Sequence, residues 1–143
     1  MNNLQSYDPL VQALKEPLPE RIQEVEKLRQ MVAFAESYGI VVSLHRRNLL
    51  SELENKLAQS LTLLEEGWDY NEEGEYVQSD EHAERYKKLN ADAKKILLDA
   101  QVSGTRAELD FVTNLENLVK RRCSLGQTIS NSFNTEKSSA FNN

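Results

Sequence analysis

Apolar residues recur every three or four positions along most of the chain, the spacing that gathers them on one face of a helix. Asp8 followed by Pro9 reads as the cap and first residue of a short helix reaching about Lys15, which Pro17 and Pro19 then stop. Pro19 is placed to open a second helix, with Ile22, Val25, Leu28, Val32, Ala35 and Tyr38 as its apolar stripe and Gly39 as its expected end. Ile40-Val41-Val42 reads as a turn, and Ser43 as the cap of a long helix that carries Leu50, Leu53, Leu57, Leu61 and Leu64 on one side and ends at Glu66 and Gly67. Behind a cap at Ser79 or Asp80, the residues Tyr86, Leu89, Ala93, Ile96 and Ala100 alternate spacings of three and four, the heptad pattern of a helical seam. Val102 to Gly104 closes that helix, and Thr105 with Glu108 forms a capping box for the last one, which buries Leu109, Val112, Leu115, Leu118 and Val119.

Between Gly67 and Ser79 the helical period disappears. Trp68, Tyr70, Tyr76 and Val77 favour strands, and Asn71 to Gly74 supplies a turn in which Gly74 can take a positive φ. The fold class is therefore all-α: an antiparallel helical bundle or paired helical hairpins, with four main helices and a short β-hairpin or ordered acidic loop at about 68-78. Residues 1-126 are expected to make a single helical domain. Residues 1-7 are expected to fray, and the Ser, Asn, Thr and Gln content beyond Gly126 predicts a flexible polar tail over 127-143.

Charge sharpens the interest of the central joint. From Glu65 to Glu84 there are nine carboxylates and no Lys or Arg, so this window is formally -9 while the whole chain is -6. Trp68, Tyr70, Glu72, Glu73, Glu75 and Tyr76 are accordingly the candidate partner-binding residues, an aromatic surface in a negative field that suits a basic protein surface. The same stretch fits a second chemistry. Asp69, Asn71, Glu73, Gly74 and Asp80 occupy the first, third, fifth, sixth and twelfth places of a twelve-residue frame, with Trp68 just before it. That frame resembles the calcium-binding loop of the EF-hand family. The resemblance implies calcium as a possible cofactor, with Asp69, Asn71, Glu73 and Asp80 as side-chain ligands and the Glu75 carbonyl as a backbone one. Departures from the family pattern are Tyr76 in place of a small aliphatic, Glu73 in place of Asp, and Asp80 in place of the bidentate Glu.

The remaining chemistry is sparse. Arg46 and Arg47, after Ala35 to Gly39, give a faint helix-turn-helix pattern and are the candidate nucleic-acid contacts, against which the acidic total acts. Cys123 stands alone, which excludes an intramolecular disulfide and a multi-cysteine zinc site and leaves a packing role. His45 and His82 lie on or beside apolar stripes and read as packing histidines. No phosphate-cradling glycine loop, nucleophile elbow or Ser-His-acid spacing occurs, so no enzyme is expected. No apolar run approaches the length of a membrane span, and Met1 to Ser6 lacks the basic start and apolar centre of a secretory signal, which gives a cytoplasmic expectation. The expected function is that of a helical interaction or assembly protein that binds a protein partner or itself as a homo-oligomer. A calcium-binding module and a nucleic-acid-associated oligomeric assembly protein of the viral packaging type are the alternatives.

Overall fold

A computed structural model describes residues 7-142, with side chains through residue 136. The regular structure of the described chain is helical apart from one two-stranded antiparallel sheet. In order, the elements are α1 (Asp8–Leu14), a 3-10 turn at Ile22–Glu24, α2 (Val25–Glu36), α3 (Gly39–Glu66), β1 (Trp68–Tyr70), β2 (Tyr76–Gln78), α4 (Asp80–Lys87), α5 (Ala91–Gln101) and α6 (Ser103–Asn142). They fall into two compact units, Met1–Arg46 with Asp110–Asn143, and Arg47–Leu109.

The first unit has its core in Tyr7, Leu10, Leu28, Ala35, Val42, Val112, Leu115, Val119 and Phe133, all buried. Each fully buried Leu or Val contributes on the order of 1.5–3 kcal/mol. The stripe on α2 is as expected, with Leu28 and Ala35 buried and Ile22, Val25, Val32 and Tyr38 half-buried. Fraying was expected over 1-7: residues 1-6 lie outside the described residues, whereas Tyr7 is buried and its hydroxyl is 2.9 Å from His45 Nδ1. Tyr7, not Asp8, is the residue before α1, and it makes no side-chain cap bond. Pro19 does not open α2. It lies buried in the connection, and the helical path begins with the 3-10 turn at Ile22. Arg122 holds this connection by donating to the carbonyls of Leu14 and Glu16.

Glycine proved a poor stop signal in two places, Gly39 and Gly104. Gly39 begins α3, and the β-branched run Ile40 to Val42 is helical, the Val42 amide donating to the Tyr38 carbonyl at 2.9 Å. Gly104 lies within α6. Gly126 does too, so the helix continues through the polar residues beyond it, with Phe133 buried. At Gly126 the missing side chain is used for packing: a Cβ there would collide with Cγ2 of Val32 on α2. Gly126→Leu is therefore expected to destabilise this unit by about 2 kcal/mol through overpacking. Val32→Ala in the same chain should recover most of that loss in chemical denaturation followed by circular dichroism. An unchanged midpoint for the single variant would mean that the two helices do not meet closely there.

In the second unit Leu49, Leu53, Val102 and Leu109 are buried. The buried line of α3 passes through Leu49 and not Leu50, which is 40% exposed. The expected heptad seam is also interrupted. Asn90 accepts from the Ala93 amide at 2.8 Å and caps a new helix, so Tyr86 and Leu89 do not share an element with Ala93, Ile96 and Ala100. Thr105 is not a cap either. It sits inside α6, buried, and its hydroxyl accepts from Lys56 Nζ at 2.9 Å. Only Val102 separates α5 from α6. No helix among the described residues is long and apolar enough to cross a membrane.

Candidate functional site: the aromatic hairpin

The second unit builds its hairpin from a defined helix end. Gly67, at φ +89°, ends α3 and reverses the chain, and its amide donates to the Leu64 carbonyl at 3.1 Å. Gln78 Nε2 donates to the Glu66 carbonyl at 3.1 Å, and the Ser79 amide donates to the Gly67 carbonyl at 3.1 Å, tying the far strand back to the helix end. Ser79 then accepts from the His82 amide at 3.0 Å and caps α4, as its position in the sequence predicts.

The strands pair in the register Trp68 with Gln78, Asp69 with Val77 and Tyr70 with Tyr76. Alternation along each strand puts Trp68, Tyr70, Tyr76 and Gln78 on one face and Asp69 and Val77 on the other. The aromatic face is continuous: Trp68 stacks on Tyr76 with centroids 5.5 Å apart, and Tyr70 tilts against Tyr76 at 5.1 Å. It is also open to water, Tyr70 being 66% and Tyr76 43% exposed. Desolvation, then the neighbouring Tyr70 and the Asp69 carboxylate, push the Tyr76 phenol above its ordinary value of 10.0, so it stays neutral at physiological pH.

The tip is fixed by one side chain. Asn71 Oδ1 accepts from the amides of Glu73 at 3.0 Å and Glu75 at 2.9 Å, while the backbone closes through the Gly74 amide to the Asn71 carbonyl and the Asn71 amide to the Glu75 carbonyl. Gly74 takes φ +79°. Glu72, Glu73 and Glu75 are exposed on this frame. Among the described residues, none of them and not Asp69 has an ion-pair partner.

The residues of the twelve-residue calcium frame lie along this hairpin and at the start of α4. Asn71 Oδ1 is occupied by two amides, and Asp69 Oδ1 accepts from the Tyr70 amide at 2.7 Å. The Glu75 carbonyl accepts from the Asn71 amide, and Asp80 is the first residue of α4. Among the described residues no group of three or more His, Cys, Asp or Glu is placed to hold a metal.

The two arginines are in different situations. Arg46 lies with Nε 3.1 Å from Oε1 of the buried Glu116, which Lys120 also approaches at 3.2 Å, so its guanidinium is committed to the first unit. Arg47 is exposed. His45 packs against Tyr7 with ring centroids 5.8 Å apart. His82 is half-buried, and burial raises the Cys123 thiol above its ordinary value, the Glu36 carboxylate adding to the effect, which opposes a reactive thiolate. Sequence reasoning missed Glu116, whose spacing places a charge at a core position of α6 with nothing nearby in sequence except Lys120 to mark it. It also missed the apolar groove of about 470 Å³ between the 14-18 connection and Leu118, Leu125 and Ile129, because those positions read as core or tail.

No protein-family model, curated protein or solved structure matches the chain.

Proposed function

We propose that the protein is a non-enzymatic, cytoplasmic interaction or assembly module, its helices packed as paired hairpins and its recognition surface the hairpin at 68-78. One observation carries this reading. An aromatic ladder, open to water, stands beside a turn closed by Asn71 whose three carboxylates have no cation of their own among the described residues. Exposed tyrosines supply large contact area at small entropic cost, which is why they recur at interface centres. The carboxylates select a partner with a basic surface and speed its approach.

The test uses a lysine-rich peptide with interspersed leucines as a probe of such a surface. Capture should be strong at low salt and fall steeply towards about 1 M salt, where the Debye length is about 3 Å. Glu72, Glu73 and Glu75 changed together to Lys should abolish the salt-sensitive part. Capture that is unchanged by the triple substitution would remove the hairpin from the account.

A further inference from the structure

The carboxylates of the hairpin have a match within the same unit. Residues 68-78 carry Asp69, Glu72, Glu73 and Glu75, a formal -4. Residues 85-95, at the joint of α4 and α5, carry Arg85, Lys87, Lys88, Lys94 and Lys95 against the single Asp92, a formal +4. The two segments do not neutralise each other within the chain. Arg85 pairs with Glu81 at 3.1 Å, and Lys94 lies over the Tyr86 ring at 5.3 Å. Among the described residues Lys87, Lys88 and Lys95 have no ion-pair partner, and all three are exposed.

The basic segment also has apolar side chains in water. Ile96 is 69% exposed, next to Lys95 and Leu97 on the solvent side of α5. Both patches thus have the same make-up, exposed apolar groups beside unpaired charge, with opposite sign.

We infer that the hairpin of one copy docks on the α4–α5 joint of a second copy of this chain, Tyr70 and Tyr76 meeting Ile96 and Leu97 while Glu72, Glu73 and Glu75 meet Lys87, Lys88 and Lys95. This rests on the reading of the hairpin as the recognition surface and names its partner. A chain that carries both halves of a contact can close it twice around a two-fold axis, and that dimer with two equivalent contacts is the assembly inferred. Each exposed ion pair contributes little, but the dimer closes two sets of them at once, so the charges set its register and its salt dependence and the aromatic contact alone does not hold it.

Light scattering and sedimentation equilibrium on the full chain test this directly. The expected mass is that of a dimer at low salt and of a monomer at about 1 M salt, where the Debye length falls to about 3 Å. Glu72→Lys with Glu73→Lys and Glu75→Lys should weaken dimerisation by about tenfold or more, as should Lys87→Glu with Lys88→Glu and Lys95→Glu. The deciding experiment mixes these two variants. Each repels itself, but every contact in the mixed dimer is again between opposite charges, so mixing should restore the dimer mass. If the lysine reversal does not fold by circular dichroism, the neutral set Lys87→Gln, Lys88→Gln and Lys95→Gln replaces it, and mixing should then give partial recovery.

A wild-type chain that is monomeric at low salt overturns the inference, as does a dimer whose mass neither variant changes. A mixture that stays monomeric overturns it too. None of these outcomes touches the broader reading if the lysine-rich peptide is still captured through Glu72, Glu73 and Glu75, whereas loss of both dimer and capture removes the two together.

Discussion

Gly67→Ala is expected to destabilise the second unit by about 3 kcal/mol. Two costs add. A left-handed backbone costs a residue with a Cβ roughly 1–2 kcal/mol, and Gly67 sits at φ +89°. The new Cβ would also collide with the Ser79 carbonyl oxygen and stand 2.7 Å from the Ala83 amide nitrogen, both backbone atoms that no rotamer change can move. Gly67→Asn separates the two costs, because Asn tolerates the left-handed region while keeping the collision. Urea unfolding followed by far-ultraviolet circular dichroism should show both variants weakened, alanine the more. A neutral Asn variant would mean that strand β2 and the start of α4 do not approach Gly67 this closely.

Glu116→Ala is the second large effect, expected at about 2–3 kcal/mol in the first unit. Removing one member of a buried charge pair costs about 3–5 kcal/mol by leaving the other unpaired, and the figure here falls to or below the low end because Arg46 and Lys120 still reach water. Glu116 is 6% exposed and belongs to both ion pairs of this cluster. Its carboxyl is held below the ordinary value of 4.5 by a hydrogen bond to the Ser43 side chain, with burial opposing, and then by the Lys120 hydrogen bond and the charges of Arg46 and Lys120. A depressed folded value means that the carboxylate's contribution is complete above the unfolded value and is lost as pH falls through the folded one. The stability difference between wild type and Glu116→Gln should therefore be full at neutral pH and shrink as pH drops below about 4.5, the ordinary value. Urea midpoints measured across that range check the sign. A difference that stays constant into strong acid would show that Glu116 is not ionised in the folded chain.

The contrast between these two sites shows what a sequence makes visible. Gly67, Gly74 and Ser79 could be placed from the chain alone because each is required by local backbone geometry: a helix end, a turn with positive φ, and a cap that accepts one identifiable amide. The aromatic pairing follows from the same local logic, since two strands joined by a short turn have few registers. Glu116 has no such local mark. Its value comes from Ser43 and Arg46, about seventy residues earlier in the chain, and spacing along α6 places it on the core side without naming those partners. The glycines at 39 and 104 do not end helices for a related reason. A helix tolerates glycine at about 1 kcal/mol, and tertiary packing such as the approach of Val32 to Gly126 can more than offset that. The heptad pattern at 86-100 was equally persuasive and equally local, yet one Asn at position 90 caps a fresh helix and divides it. For the candidate site, the aromatics and carboxylates were legible, while the matching lysines at 87-95 were not, because a basic run in a helix looks like ordinary solvated surface until both segments are found in one unit.

The stacking of Trp68 on Tyr76 has an optical consequence. Trp68 is the chain's single indole, and it lies in the hairpin and outside the helical core. Its emission therefore reports on one small ribbon, whereas the ellipticity at helical wavelengths reports on everything else. An event confined to the hairpin, whether a partner settling on its aromatic face or the ribbon opening by itself, would change the colour of the protein's fluorescence and leave its helical spectrum still.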